Sequence, residues 1–127
     1  MLMKNNFSKQ KEYYKNIKEI YSPYLDSKVI FNSKGWGHII RKSGSMRPSK
    51  DINRRLSQLE NAVRILLIAT TVQEKEIIIQ EEYSLVFLGF IAILNENKLK
   101  IILRKDNDGD YYFYSVMTGY ITSVKRD

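Results

Sequence analysis

The segment Tyr83–Leu94 reads YSLVFLGFIAIL and is apolar at both its odd and its even positions. Successive side chains of a strand point to opposite faces of a sheet, so this pattern is typical of a strand buried on both sides. The segment is too short to cross a bilayer, which takes about 20 apolar residues. It therefore predicts a central strand covered on both faces.

Three further strands are predicted around this one. Thr71–Ile79 precedes it, and Leu99–Arg104 follows it with apolar and basic residues in alternation. The sequence DNDG at Asp106–Gly109 favours a tight turn, because Asn and Gly tolerate positive φ. Tyr111–Met117 then forms the last strand. The second half of the chain is predicted to be a four-stranded antiparallel meander.

The first half of the chain has helical spacing instead. Residues 1–27 are predicted to form a polar N-terminal helix with apolar positions every three or four residues. A short strand, Lys28–Asn32, and a short helix, Trp36–Lys42, follow. Ser43–Pro48 is predicted to be a flexible basic loop. A long amphipathic helix begins at Ser49, which is predicted to cap it.

The predicted fold class is α+β, with N-terminal helices packed on a four-stranded antiparallel β-sheet. Two units are predicted, an N-terminal helical extension at 1–27 and a single α+β domain at 28–127. The 127-residue length suits one hydrophobic core.

Composition restricts the chemistry. The chain has no Cys and one His, which excludes a disulfide framework, a thiolate metal site, a Cys nucleophile and a His-rich zinc site. We therefore expect no metal site and no cofactor. The polar start and the lack of a long apolar segment indicate neither a secretory signal nor a membrane span. The predicted location is cytoplasmic.

The net charge is concentrated in one window. Nine of the 21 basic residues lie between Lys28 and Arg64, against only Asp51 and Glu60, so this window carries the entire net charge of +7. Concentrated basic charge is typical of proteins that bind a polyanion, since neutralised phosphates release their counterions. The alternative is the solvated surface of a generally basic protein.

His38 is the first candidate for chemistry. On helical spacing it shares a face with Arg41 and Lys42. Its imidazole titrates near neutrality and can move a proton on or off an RNA 2′-hydroxyl. A structural histidine is the alternative reading.

Arg54 and Arg55 are separated by helical geometry. At about 100° per residue, Arg55 falls at the border of the apolar arc and Arg54 falls almost opposite it. A border arginine can lay its stem on the core and direct its planar head into a cleft, so Arg55 is the candidate phosphate clamp. Pairing of Arg55 with Glu60 or Asp51 is an equally good reading.

The final strand places Tyr112 and Tyr114 on one face and Phe113 and Ser115 on the other, if it alternates regularly. A small hydroxyl residue among large rings leaves room for a ligand, and aromatic residues on a sheet can stack bases. An ordinary hydrophobic core is the alternative.

The order of these motifs resembles a known group of nucleases. Phe31-Asn32-Ser33 is followed by GWGHI at Gly35–Ile39, then by Arg54-Arg55-Leu56, and finally by FYSV at Phe113–Val116. This arrangement resembles the phage and mobile-element nuclease-like domains of the barnase–EndoU–colicin–RelE group, over roughly Lys28–Met117. The resemblance implies helices that precede an antiparallel sheet, and metal-independent ribonuclease activity of a toxin-like kind.

Carried over by position, the resemblance implies three site residues. His38 would be the acid–base residue, Arg55 would hold the scissile phosphate, and Ser115 would line the cleft. Cleavage of RNA usually requires a separate acid and base, and the chain has no second His. Lys42, Tyr114 or an arginine would have to fill that role.

The leading hypothesis is a metal-independent endoribonuclease, toxin-like or encoded by a mobile element. The RNA 2′-hydroxyl would attack the adjacent phosphate and leave a 2′,3′-cyclic phosphate. The RNA-binding candidates are Arg41, Lys42, Arg47 and Tyr114. Expected partners are tRNA, mRNA or ribosome-associated RNA, and a cognate antitoxin or immunity protein. The alternatives are a non-catalytic RNA- or ribosome-binding module and a protein-interaction domain of an antitoxin or phage accessory protein.

Overall fold

The computed structural model describes residues 2–94 and 96–118, with side chains from residue 7 onward. Met1 and residues 119–127, which belong to the predicted units 1–27 and 28–127, lie outside this range. The elements in chain order are α1 (Leu2–Ile17), β1 (Glu19–Ser22), β2 (Ser27–Ile30), α2 (Ser33–Ile40), β3 (Arg41–Lys42), β4 (Ser45–Met46), α3 (Ser49–Leu56), α4 (Leu59–Ile68), β5 (Glu74–Gln80), β6 (Tyr83–Leu94), β7 (Asn97–Asp106) and β8 (Tyr112–Thr118).

The main sheet has six strands in the order β1-β2-β8-β7-β6-β5. Strands β5 to β8 form the antiparallel meander that the sequence predicts. The prediction of a four-stranded antiparallel sheet is nevertheless wrong, because the β1–β2 hairpin extends the sheet and β2 runs parallel to β8. The parallel contact is short: Ile30 lies opposite Tyr112, and the Ile30 amide donates to the carbonyl of Tyr111 over 3.0 Å. The fold is α+β with a mixed sheet.

The N-terminal helix ends at Ile17, so the prediction of a helix through residue 27 is wrong. Lys18 adopts a φ of +62°, which is incompatible with a continued right-handed helix. Its carbonyl accepts a hydrogen bond from the Phe31 amide over 2.8 Å, and the chain then continues as β1. Ile20 packs against the core from this strand, although its spacing from Ile17 is also helical.

The predicted long amphipathic helix is two helices, α3 and α4. At the break, the Ser57 hydroxyl donates a hydrogen bond to the Arg54 carbonyl over 2.8 Å. Serine hydroxyls often compete in this way with the backbone hydrogen bonds of a helix. The predicted apolar face is confirmed, and its buried members are Ile52, Leu56, Leu59, Val63 and Leu66. Pro48 occupies the N-cap position of α3 with no side-chain cap, so the predicted Ser49 cap is wrong.

Strand β6 is buried on one face and only partly covered on the other. Leu88 and Phe90 are buried in the core, with about 1 % of each exposed. The opposite face is less covered, and Ile93 is 71 % exposed. The predicted coverage of both faces is therefore wrong. The sheet keeps an open face, and this face carries part of the candidate site.

Aromatic rings connect α1 to the sheet. The Tyr14 ring lies 5.5 Å from Phe31 and 6.0 Å from Phe113, and the latter two rings stack at 5.1 Å. Tyr14 also donates its hydroxyl hydrogen to the Asn32 carbonyl over 2.7 Å. Residues from the predicted extension and from the predicted domain thus share one core.

Candidate functional site

Helix α2 carries His38 and packs directly on β8. Asn32 caps the helix, since its side-chain oxygen accepts from the amides of Lys34 and Gly35. Gly35 allows the close approach: a Cβ there would overlap the Phe113 carbonyl oxygen and the Tyr14 hydroxyl. The contact fixes the distance between α2 and β8.

His38 lies against Tyr114. The ring centroids are 4.2 Å apart and the planes are inclined by 32°. Tyr114 reaches this position from a β-bulge: Ser115 lies opposite Ile102 and Phe113 lies opposite Leu103, so Tyr114 is the extra residue. A bulge bends a strand and redirects a side chain. Tyr112 and Tyr114 share a face, as predicted, but Ser115 pairs with Ile102 on that same face, so the predicted alternation is wrong at Ser115.

The imidazole of His38 sits in a cationic environment. Burial, followed by the charges of Arg47, Arg55 and Arg104, lowers the pKa of His38 to about 4. The ring is therefore neutral at pH 7. Its Nδ1 atom is buried and has no hydrogen-bond partner within the described residues.

Arg55 links α3 to β8. Its Nη1 donates to the Val116 carbonyl over 2.8 Å and to the Ser115 hydroxyl over 3.3 Å, while its Nε donates to Asp51 over 3.3 Å. The side chain is only 13 % exposed. Of the two readings left open, pairing with a carboxylate is the one observed, and the partner is Asp51. Arg55 and Ser115 do meet, but Ser115 is buried beneath the guanidinium.

Arg47 is buried although it lies in the segment predicted to be a flexible basic loop. Its side chain is 5 % exposed, and it pairs with Asp51 over 3.2 Å. Its Nε also donates to the backbone carbonyl of His38 over 3.1 Å. Arg47 therefore holds the last turn of α2 in place and contributes positive charge near the imidazole.

The predicted flexible loop is a hairpin, so that prediction is wrong. Strands β3 and β4 pair antiparallel. Ser43 and Gly44 connect them with φ values of +54° and +81°, the signature of a type I′ turn. Arg41 and Lys42 lie on β3 and are exposed. They are cations of the site region that face solvent.

Arg104 is a site residue that the sequence reasoning missed. Its guanidinium lies 5.4 Å from the Tyr114 ring centroid and 5.6 Å from that of Phe87. Asp106 holds it through a 2.7 Å ion pair. The alternation of apolar and basic residues in β7 could have identified Arg104, because it places this residue on the open face of the sheet, opposite Phe87.

This arrangement can attract and orient an anion. A neutral imidazole lies against an aromatic ring, and three guanidiniums act on it electrostatically. A bound phosphodiester would offset these positive charges and raise the pKa of His38 back toward its usual value. Such a shift would make the imidazole a stronger base when substrate is present.

The described part of the chain contains neither a cluster of metal ligands nor a helix that could span a membrane. Within residues 2–94 and 96–118, no three His, Asp or Glu side chains are grouped as metal ligands. In the same residues no helix combines the length and the hydropathy needed to cross a bilayer.

Comparisons with known proteins add no functional information. A scan against protein-family models, a search of curated proteins and a search of solved structures each found no match to this chain. They neither support nor oppose the resemblance to the barnase–EndoU–colicin–RelE group. The function is therefore inferred from the residues of the chain itself.

Proposed function

We propose that the chain is a metal-independent endoribonuclease whose reaction takes place at His38. The contact of the His38 imidazole with Tyr114, within reach of the charges of Arg47, Arg55 and Arg104, is the observation that supports this most directly. Positive charge around a proton-accepting group suits phosphate chemistry, because negative charge grows on the phosphorus oxygens in the transition state.

The proposed reaction is an internal transesterification. His38 accepts the proton of the RNA 2′-hydroxyl, whose oxygen attacks the adjacent phosphorus. The bond from phosphorus to the 5′-oxygen of the next nucleotide breaks, and that oxygen takes up a proton. We assign this proton to Tyr114, whose ring contacts the imidazole. The products are a 2′,3′-cyclic phosphate and a 5′-hydroxyl. The nucleophile belongs to the substrate, so the protein supplies only proton transfer and charge.

The exposed hairpin β3–β4 would bind the RNA backbone next to this site. Arg41 and Lys42 face solvent there and can neutralise phosphates without losing a structural partner. Arg47 and Arg55 would stabilise the bound phosphate by their positive charge without contacting it, since both guanidiniums are paired with Asp51. A toxin-like or mobile-element enzyme that cleaves tRNA, mRNA or ribosome-associated RNA would work in the cytoplasm and would require an antitoxin or immunity protein.

The test is RNA degradation in the presence of EDTA. We expect wild type to cleave RNA and His38→Gln to lose about 100-fold or more, the usual contribution of general acid–base catalysis. Lys9→Ala, on the exposed part of α1 outside the basic window, is the control and should retain wild-type activity. End-group analysis should find cyclic phosphate and 5′-hydroxyl ends. Equal cleavage by wild type and His38→Gln, or no cleavage by wild type, would contradict the proposal.

A non-catalytic RNA-binding module is the second candidate. The observation that favours it is the low pKa of His38, about 4, because so weak a base transfers protons poorly at neutral pH. It predicts RNA affinity that falls steeply with salt and no new RNA ends on prolonged incubation. The same EDTA assay separates the two candidates.

A further inference from the structure

Strand β5 forms one edge of the main sheet. It is the last strand in the order β1-β2-β8-β7-β6-β5, so within the described residues β6 is its only neighbour in the sheet. An edge strand presents unpaired N–H and C=O groups, and proteins usually protect such an edge with lysine, proline or a bulge. Strand β5 reads EKEIIIQ and has its charges at the start, whereas Ile77–Gln80 carries none. The second half of this edge is therefore unprotected.

The bonds to β6 show which residues of β5 have outward-facing backbone groups. The Gly89 carbonyl accepts from the Gln73 amide over 3.0 Å, so the backbone of Gly89 faces β5. Gly89 pairs with Glu74, and backbone groups alternate in direction along a strand. Glu74 and every second residue after it therefore face β6. The backbone groups of Ile77 and Ile79 face the free edge.

The same two residues have exposed side chains. Ile77 is 54 % exposed and Ile79 is 77 % exposed. They lie opposite Val86 and Ser84 of β6. Val86 packs against the core, and paired residues share a face, so both isoleucines lie on the side of the sheet that carries the core. Neighbouring large apolar side chains on an open edge are typical of a surface that a partner covers.

The sequence of β5 is complementary to itself in one antiparallel register. Two copies related by a two-fold axis at Ile78 would place Ile77 of one copy opposite Ile79 of the other, and Ile78 opposite Ile78. An axis at Ile77 would instead place Lys75 opposite Ile79. An axis at Ile79 would place Ile77 opposite Glu81. The axis at Ile78 is thus the one that pairs apolar residues with apolar residues.

This register also matches charges at the ends of the paired segment. It places Lys75 of each copy opposite Glu81 of the other, and both side chains are exposed. Opposite charges across an antiparallel pair stabilise it. Glu74 would lie opposite Glu82, but its charge is already paired with Lys100. The charge pattern therefore favours a second copy of the chain as the partner of this edge.

We propose that the edge of β5 is a self-association surface, at which a second copy adds its own β5 antiparallel with the two-fold axis at Ile78. Each Ile77–Ile79 pair would exchange both of its backbone hydrogen bonds. The isoleucines of the two copies would form one apolar cluster that is removed from water. Strand β5 is separated from β8 by β6 and β7, so this contact lies away from the strand that carries Tyr114. The inference is independent of the ribonuclease proposal.

The test measures the molar mass of the full chain by sedimentation over a range of concentrations. The proposed interface is small, so we expect a monomer at about 1 µM and a dimer at about 200 µM. Ile79→Lys should weaken the dimer about tenfold or more, because a charge on an edge blocks strand pairing. Ile93→Lys is the matched control: Ile93 is 71 % exposed on β6, and this variant should dimerise as wild type does.

An exchange of charges tests the register. Lys75→Glu and Glu81→Lys each place like charges opposite one another, and each should weaken the dimer about threefold or more. The double variant restores opposite charges and should return to the wild-type dissociation constant. The two single variants change the net charge in opposite directions, so a loss in both cannot arise from net charge.

Each result bears on one part of the inference. A monomer at the highest concentration, or a dimer that Ile79→Lys weakens no more than Ile93→Lys does, would overturn the surface. A double variant that dimerises no better than the single variants would overturn the register. Both substituted isoleucines are exposed, so the variants should fold as wild type does, which unfolding curves check.

Discussion

The His38 imidazole lies 4.2 Å from the centroid of the Tyr114 ring, and Arg104 lies 5.4 Å from that same centroid. One aromatic ring thus has an imidazole and a guanidinium as neighbours. The protonated imidazole would be a second cation beside an existing one, with Arg47 and Arg55 close enough to add to the repulsion. Together with burial of the ring, which is the largest cause, this repulsion makes protonation of His38 unfavourable in the folded protein.

The first prediction concerns the titration of His38. It is the single histidine of the chain, so its ring protons are identified in an NMR spectrum without assignment. We expect a titration midpoint near 4, against a reference value of 6.5. Arg104→Gln removes one of the neighbouring charges and should raise the midpoint, as should added inorganic phosphate if it binds there. A midpoint at or above the reference value would contradict the environment described here.

The same shift predicts how stability depends on pH. The folded state has the lower pKa, so between about pH 4 and about 6.5 the unfolded state binds more protons. Stability therefore rises with pH across this window, and the contribution of His38 is fully present above it. The check is urea unfolding at several pH values. His38→Gln should have a flatter profile than wild type in this window, and an identical slope would refute the coupling.

Another prediction compares two adjacent arginines. Arg55→Ala removes the guanidinium donor to the Val116 carbonyl and one of the arginines paired with Asp51, and we expect a loss of about 2–4 kcal/mol of unfolding free energy. Arg54→Ala is the matched control. Arg54 is 52 % exposed and contacts Asp51 only at 3.6 Å, so its removal should cost less than about 0.5 kcal/mol. Denaturant unfolding measures both, and similar losses would show that Arg55 is not a structural clamp.

Variants of Arg41, Lys42 and Arg47 distinguish cations that contact RNA from cations that stabilise the fold. Arg41→Ala and Lys42→Ala should each reduce the slope of log affinity against log salt by about 0.7 for single-stranded RNA. Neither should alter stability, since both side chains are exposed. Arg47→Ala should cost about 2 kcal/mol or more, because it breaks a buried pair with Asp51. Fluorescence anisotropy over a range of salt and denaturant unfolding are the measurements. A salt slope unchanged by Arg41→Ala and Lys42→Ala would exclude the hairpin as an RNA contact.

Local patterns predicted most of the meander. The bounds of β6 agree with Tyr83–Leu94, and β7 and β8 lie within a few residues of their predicted positions. The β1–β2 hairpin was missed because Tyr13, Ile17, Ile20 and Tyr24 have helical spacing. The positive φ of Lys18 ends that pattern, and no residue-type preference marks it. The parallel contact of β2 with β8 joins distant segments, which local periodicity does not register.

The candidate site was predicted in part. His38, Arg55 and Ser115 do lie in one region, where α2 and α3 meet β8. The burial of Arg47 was missed, although Asp51 stands four residues from both Arg47 and Arg55, the spacing of helical ion pairs. The bulge at Tyr114 was beyond prediction, because it depends on the register with β7.

The final prediction concerns two glycines of α2. Gly35→Ala would press a methyl group into the Phe113 carbonyl and the Tyr14 hydroxyl, both fixed by the core. We expect a loss of about 3 kcal/mol and a displaced α2, because backbone atoms cannot move aside. Gly37→Ala meets no atom within 4 Å. It should gain about 0.5–1 kcal/mol from helix propensity.

The His38 titration provides the second readout for this pair. Gly37→Ala should keep the midpoint near 4, because α2 stays in place. Gly35→Ala should move the midpoint toward the reference value, because a displaced helix carries the imidazole away from Arg104 and out of its buried position. Unfolding curves measure the stability of the two variants, and the His38 NMR signal measures the titration midpoint of each. Equal stability of the two variants would show that the contact between α2 and β8 does not fix the position of His38.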